Sequence, residues 1–215
     1  MNPINPQQPT WDAVDRALEQ WLSPQDDALL AAQMSAERAD LPRIAVSPAQ
    51  GRLLEVLALA IGARRILEIG TLAGFSTIWL ARGLVSGGSL VTLELDPERA
   101  RLARTNIDRA GCGATVEIVV GPATQSLDAL RATGVPPFDI VFIDADREQC
   151  PAYLEHSIAL SRPGTLIIVD NAMHRGRLIE QGTGEPSVEG VRSMMDAIRR
   201  HPRLKAAGIQ TVGAK

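Results

Sequence analysis

Short apolar runs alternate with amphipathic segments along the chain after residue 61. Five of these runs have the length and the nearly continuous apolar character of buried strands: residues 65–69, 90–94, 115–120, 138–143 and 166–169. The segments between them have helical periodicity: residues 75–85, 97–110, 124–132 and 151–160. Strands that are buried on both faces and separated by helices indicate an α/β fold, doubly wound, with a mostly parallel sheet and helices on both faces.

The first 61 residues have helical patterns and no strand pattern. A polar arm with three prolines, residues 1–10, precedes amphipathic stretches over residues 11–22 and 25–39. Ser47 and Pro48 have the residue types of an N-cap and of a first helical position, so they predict a third helix over residues 49–61. After the last strand, residues 174–189 are polar and rich in glycine, which indicates a mobile loop beside a site.

Composition and charge narrow the class of protein. Hydrophobic residues make up 45% of the chain and charged residues 22%, as in globular domains. A net charge of −3 and 3% aromatic residues argue against nucleic-acid and membrane-surface partners. No apolar run has the length of a membrane span, the N-terminus lacks a signal-peptide pattern, and two cysteines cannot build a disulfide framework. We therefore expect a cytoplasmic protein.

A turn with two glycines follows the first predicted strand, in the segment EIGTLAGFS at residues 68–76. Gly70 and Gly74 allow the backbone to approach a ligand, and the next helix offers free N–H groups. The dinucleotide motif G-x-G-x-x-G is not present, because its second glycine would fall at Leu72. A tight strand-to-helix turn without a ligand would explain the glycines, but not the acidic residues Glu68 and Glu94 in the first two strands.

Glu94 ends the second predicted strand. A carboxylate at this place can accept hydrogen bonds from both hydroxyls of a ribose. A single glutamate is commonly a solvated strand end, but together with the glycine turn it predicts a nucleoside-containing cofactor.

Acidic and amide side chains follow the fourth and fifth strands. Asp144 follows the fourth, and Asp170 and Asn171 follow the fifth. If these strands are neighbours, two carboxylates meet at one edge of a buried sheet and repel each other unless a cation lies between them. Two carboxylates and an amide carbonyl are oxygen ligands of the kind that Mg²⁺ prefers. Each residue alone is typical of a helix cap or an Asx turn, but the three together favour a metal site.

Six segments in order carry a resemblance to a known family: AVSPAQG (45–51), EIGTLAGFS (68–76), TLELD (92–96), GPA (121–123), IDAD (143–146) and VDNA (169–172). From about residue 44 to the C-terminus, the chain resembles the cation-dependent, S-adenosylmethionine-dependent O-methyltransferases, which include catechol and caffeoyl-CoA O-methyltransferases. The resemblance implies a class I methyltransferase-like Rossmann fold with seven strands and a homodimer. It also implies methyl transfer from S-adenosylmethionine to a hydroxyl of a small substrate. Aromatic vicinal diols fit a site with Mg²⁺.

The resemblance also implies domains and residue roles. Residues 1–43 would be an N-terminal arm with helices that covers the substrate or contacts a second subunit, and residues 44–215 the S-adenosylmethionine-binding domain. The methionine end of the cofactor would be lined by Val46, Glu68, Gly70, Thr71 and Ser76. The ribose would be held by Glu94, with Ala123 near the adenine. The divalent cation would be held by Asp144, Asp170 and Asn171, with Asp144 also a catalytic residue near the cofactor.

Arg147 is the position at which the chain departs from the family. Family members usually carry a lysine here, as the general base, whereas the lysines of this chain are Lys205 and Lys215. Arginine does not give up its proton at ordinary pH and cannot serve as a base. In one interpretation Arg147 pairs with a carboxylate such as Asp146. In the other it has a catalytic role, steadying the oxyanion or an acidic group of the substrate while water takes the proton.

Two other classes of function are open at this point. A metal-independent methyltransferase or an NAD-linked oxidoreductase is disfavoured by the missing central glycine and by the Asp170–Asn171 pair. A cofactor-binding protein of the same fold, with weak or no methyl transfer because Arg147 replaces the lysine, is the alternative.

The C-terminal residues predict an incomplete sheet. Residues 204–212 have the pattern of the family's penultimate strand, and residues 213–215 that of the hairpin turn after it. The family pattern continues into a last antiparallel strand that lies between two others. Because the lack of this strand would leave backbone groups unpaired, we expect that the chain is shortened or that something else covers the gap.

Overall fold

The computed structural model describes residues 7–180, 182 and 184–210. Three helices precede the sheet: α1 (Gln8–Leu22), α2 (Asp27–Arg38) and α3 (Pro48–Ile61). The strands are β1 (Arg65–Ile69), β2 (Ser89–Glu94), β3 (Val116–Val120), β4 (Phe138–Ile143) and β5 (Ser161–Val169). The remaining α-helices are α4 (Phe75–Arg82), α5 (Pro97–Arg109), α6 (Ala123–Ala132), α7 (Cys150–Ala159) and α8 (Pro186–Arg200).

The strands form one parallel sheet in the order β3-β2-β1-β4-β5. The order reverses between β1 and β4, and this switch point is where open α/β sheets bind ligands at the carboxyl ends of their strands. The predicted doubly wound α/β fold is confirmed, with all five predicted strands in place.

Successive residues of each strand face opposite layers of helices. Ile66 packs with residues of α2, α3, α4 and α5, whereas its neighbour Leu67 packs with residues of α6 and α7. Because both faces are covered, the inner strands β1, β2 and β4 are buried at nearly every position. A third cluster joins α7 to α8 through Cys150, Leu154 and Met194.

The start of α3 agrees with the sequence prediction, whereas the starts of α1 and α8 do not. Ser47 caps α3 in a capping box with Gln50, and Pro48 is its first residue, as predicted. The predicted arm is helical from Gln8, because a proline in the first turn does not interrupt a helix. Residues 186–189, assigned to the polar loop, begin α8, whose apolar side packs onto α7. None of the helices in the described ranges is long and apolar enough to cross a membrane.

The strand expected over residues 204–212 is not present over its described part. Residues 204–210 have no strand structure, while residues 211–215 lie outside the described residues. A strand exists only with a partner, and the described part of the chain pairs β5 on one side, with β4. Seven strands are therefore not seen, since the described residues form five. That the gap beside β5 is covered by something else stays a prediction.

Candidate active site

The carboxyl ends of β1 and β4 approach each other closely at the switch point. The Asp144 N–H donates to the Ile69 carbonyl over 2.9 Å, and the Gly70 N–H donates to the Leu93 carbonyl over 3.0 Å. Gly70 has φ +102°, and a Cβ at this position would lie less than 3 Å from the Asp144 carbonyl oxygen. Both observations require glycine at this position, because only a residue without a side chain lets the two strand ends lie this close.

The carboxylate of Glu94 joins the end of β2 to the glycine turn. Its Oε2 accepts hydrogen bonds from the backbone N–H groups of Thr71 at 3.3 Å and Leu72 at 2.8 Å. Its Oε1 accepts from the Asp96 N–H at 3.0 Å. Glu94 is buried, yet it lies where the turn and the strand end meet. The predicted juxtaposition of this acid with the turn is therefore present.

Glu68 is fully buried beneath the same turn and is surrounded by hydroxyl groups. Its Oε1 accepts from Ser76 at 2.6 Å, and its Oε2 accepts from Thr77 at 2.5 Å and from Thr92 at 2.7 Å. Burial raises the pKa of Glu68 to about 7; the three hydroxyl donors oppose the rise, and the charge of Asp144 adds to it. Both oxygens of Glu68 thus contact protein groups below the turn.

Two of the residues that are expected to contact the cofactor lie on opposite faces of the sheet. Val46 is buried just before α3 and belongs to the core on that side. Ala123 is the first residue of α6 and packs against the core on the other side. The structure therefore places these two residues on either side of the strand ends.

Asp144 and Asp170 follow directly paired residues of neighbouring strands. Ile143 of β4 is in register with Val169 of β5, and the Asp170 N–H donates to the Ile143 carbonyl over 3.0 Å. Asn171, at φ +55°, donates its backbone N–H to Asp170 Oδ1 and its side-chain Nδ2 to Asp170 Oδ2, each over 2.8 Å. Because the amide nitrogen of Asn171 faces Asp170, its carbonyl oxygen is the atom that can serve a cation.

Gln50 is a neighbour of this group that sequence reasoning did not single out. Its Oε1 accepts the Ser47 N–H over 2.8 Å, and its Nε2 lies 3.5 Å from Asp170 Oδ1. The capping box therefore turns the amide so that its NH₂ faces the carboxylate. The Ser47-x-x-Gln50 spacing is typical of a capping box and is the sequence signal that could have identified Gln50.

Arg147 begins a short 3₁₀ turn (Arg147–Gln149) just after Asp144. Its buried Nε has no hydrogen-bond partner among the described residues. Asp146 accepts the hydroxyl of Tyr153 over 2.5 Å, and the Arg147 Nε does not bond to it, so the expected pairing of Arg147 with Asp146 is not seen among the described residues. Gly190 of α8, another residue that the sequence did not reveal, packs on this turn. A Cβ at Gly190 would lie less than 3 Å from the Arg147 carbonyl oxygen.

Comparison with known proteins identifies the family. A family model described as O-methyltransferase matches residues 22–213. The chain belongs to this family. A catechol O-methyltransferase of Mycobacterium tuberculosis is 49% identical over 209 residues, which are 97% of this chain and 93% of that protein.

Solved structures agree with this assignment. An O-methyltransferase of Bacillus cereus, crystallised with S-adenosylhomocysteine, matches with a TM-score of 0.94 and 46% identity, over 96% of this chain and 94% of that one. An O-methyltransferase of Streptomyces achromogenes, crystallised with S-adenosylmethionine, matches with a TM-score of 0.93 and 40% identity, over 96% and 93% of the two chains. The methyltransferase is therefore an S-adenosylmethionine-dependent enzyme of the class I fold, and a binding protein without turnover is not favoured.

Proposed function

We propose that this O-methyltransferase transfers the methyl group of S-adenosylmethionine to one hydroxyl of an aromatic vicinal diol, assisted by Mg²⁺. The observation that carries the proposal is that Asp144 and the Asp170–Asn171 pair directly follow paired residues of β4 and β5. The names of the catechol O-methyltransferases among its relatives support the same substrate class.

The donor atoms fit a hard cation. The proposed donors are the carboxylates of Asp144 and Asp170 and the amide oxygen of Asn171; in the described part of the chain, no three histidine, cysteine or acidic side chains converge. Mg²⁺ is commonly held by one or two carboxylates and keeps other positions for water and substrate oxygens. Two adjacent hydroxyls of a catechol match those positions.

Most of the proposed chemistry is positioning by the protein's own residues. A bound Mg²⁺ would lower the pKa of the substrate hydroxyl. Glu94 would accept the ribose hydroxyls, since a carboxylate has more acceptor sites than the three backbone donors occupy. The methionine end would lie along Val46, Glu68, Gly70, Thr71 and Ser76. Ala123 would lie near the adenine.

A direct assay tests the function. We expect the purified protein to methylate catechols in the presence of Mg²⁺ and to lose this activity when a chelator is added, with recovery on excess Mg²⁺. Phenols with a single hydroxyl are the matched control and should react at least about tenfold more slowly, because they lack the second oxygen. Equal turnover with and without the chelator would remove the cation from the proposal.

We also propose that Arg147 contributes to the reaction as a hydrogen-bond donor to the substrate oxyanion or to an acidic substituent, since its buried Nε has no partner among the described residues. Because arginine does not accept the proton, the rate should rise with pH as the substrate hydroxyl ionises. Arg147→Lys should retain or raise activity on simple catechols, and Arg101→Lys, at an exposed position of α5, is the control. A rate that stays flat with pH, or an inactive Arg147→Lys, would contradict this role.

The apolar surface of the N-terminal helices supports a homodimer. α1 has no buried residue, and its Trp21 is 74% exposed; Leu59 of α3 is 56% exposed. We propose that residues 1–43, with the outer face of α3, contact a second copy or cover the substrate of the domain at residues 44–215. If they contact a second copy, sedimentation should give twice the 23.1 kDa of the chain. Trp21→Glu with Leu59→Glu should give the monomer, and an unchanged mass would exclude this interface.

A further inference from the structure

We propose that Thr92 is a positioning residue for the cofactor, acting through Thr71 of the glycine turn. The proposal rests on the proposed role of this turn in holding S-adenosylmethionine. Thr92 lies within β2, beside Glu68 of β1 in the strand register, and its side chain is fully buried. Thr92 therefore lies under the glycine turn, where its side chain can form a hydrogen bond with a residue of the turn.

The hydrogen bonds around Thr92 have a defined direction. Thr92 donates its only hydroxyl proton to Glu68 Oε2 over 2.7 Å. Its oxygen lies 2.6 Å from the Thr71 oxygen, and since the Thr92 proton is already used, Thr71 is the donor in this second bond. The chain of donation thus runs from Thr71 through Thr92 to the carboxylate of Glu68.

Thr71 is held from two sides by this arrangement. Its side chain is bonded to Thr92, which in turn is bonded to Glu68, and its backbone N–H is held by Glu94. Thr71 is itself buried, so its hydroxyl has little access to water as a substitute partner. Without the Thr92 hydroxyl, the turn would still be held through its backbone N–H groups, but the Thr71 side chain would lose its partner. The turn would then be less rigidly fixed in the conformation that binds a ligand, and affinity for the ligand would fall.

Thr77 of α4 provides a matched control. It is also fully buried and also donates to Glu68 Oε2, over 2.5 Å. Its side-chain hydrogen bond goes to Glu68, and the Thr71 hydroxyl donates to Thr92 rather than to Thr77. Thr92→Val and Thr77→Val therefore remove one donor from the same oxygen, and Thr92→Val alone also removes the contact with the turn.

The experiment is titration calorimetry of the purified protein with S-adenosylhomocysteine, together with thermal unfolding of the unliganded protein. Both variants should lower the unfolding temperature by similar amounts. Thr92→Val should weaken S-adenosylhomocysteine binding by about fivefold, as expected for one neutral hydrogen bond, whereas Thr77→Val should change it less than about twofold. Thr92→Ser, which keeps the hydroxyl, should restore the affinity. Equal losses in the two valine variants, or no loss in Thr92→Val, would overturn the proposal.

Two additions keep the result interpretable. If Thr92→Val does not fold, Thr92→Ala and Thr77→Ala remove the same hydroxyls and should show the same difference in affinity; equal affinities would overturn the proposal. Glu94→Gln tests the site itself and should weaken binding more than tenfold. Should Glu94→Gln bind normally, the assignment of the turn to the cofactor is wrong, whereas normal binding by Thr92→Val alone contradicts only the role of Thr92.

Discussion

Asp170→Ala is expected to reduce Mg²⁺-dependent methyl transfer by at least about a hundredfold while leaving affinity for S-adenosylhomocysteine nearly unchanged. Asp170 follows β5 and contacts Asn171 and Gln50, while the glycine turn and Glu94 lie at the ends of β1 and β2. The variant therefore removes one oxygen ligand from the proposed cation site and leaves the proposed ribose site in place. Initial rates over a range of Mg²⁺ concentrations and calorimetry with S-adenosylhomocysteine measure the two effects.

Asp128→Ala is the matched control for this prediction. Asp128 lies in α6 with a side chain that is 72% exposed, so the substitution makes the same change in charge away from the strand ends. Its activity should remain within about twofold of the wild type, as for most surface substitutions. Full activity of Asp170→Ala, insensitive to a chelator, would show that the carboxylates at the ends of β4 and β5 hold no catalytic cation.

Gly70→Ala is expected to lower the free energy of unfolding by about 3–5 kcal/mol, a large fraction of the stability of most domains. Two costs add at this position. The backbone is at φ +102°, where a side chain is strained, and the new Cβ would lie less than 3 Å from the Asp144 carbonyl oxygen. The neighbour is strand backbone rather than the end of a flexible side chain, so it cannot move aside without disturbing β4. Denaturant unfolding monitored by circular dichroism measures the change.

Gly87→Ala separates the two costs. Gly87 has φ +77° but nothing within 4 Å of an added Cβ, so the substitution carries the backbone strain without the clash. We expect it to lower the free energy of unfolding by about 1–2 kcal/mol. If Gly70→Ala were no more destabilising than Gly87→Ala, the close approach of the β1 and β4 ends would not be a constraint on the fold.

The sequence alone determined the strands and the edge of the sheet at which the proposed site residues lie. The five apolar runs are short and almost uninterrupted, so a sheet covered on both faces followed from the pattern alone, and β1, β2 and β4 are buried at nearly every position. Because parallel strands bring their carboxyl ends to one edge, Glu94, Asp144 and Asp170 could be assigned to that edge before any contact was known. Ser47 and Pro48 marked the start of α3 for an equally local reason.

Other features depend on packing between distant segments, and only the tertiary structure decided them. The bond from Thr92 to Glu68 requires the register of β1 against β2, which the pattern of either strand does not specify. Gly190 must lack a side chain because α8 packs closely on the backbone of the turn at Arg147. Residues 204–210 have a strand-like pattern but no strand, since strand structure needs hydrogen bonds to a partner. Local sequence therefore specified which residues lie at the carboxyl edge of the sheet. The packing of separate elements against one another specified which hydrogen bonds hold these residues in place.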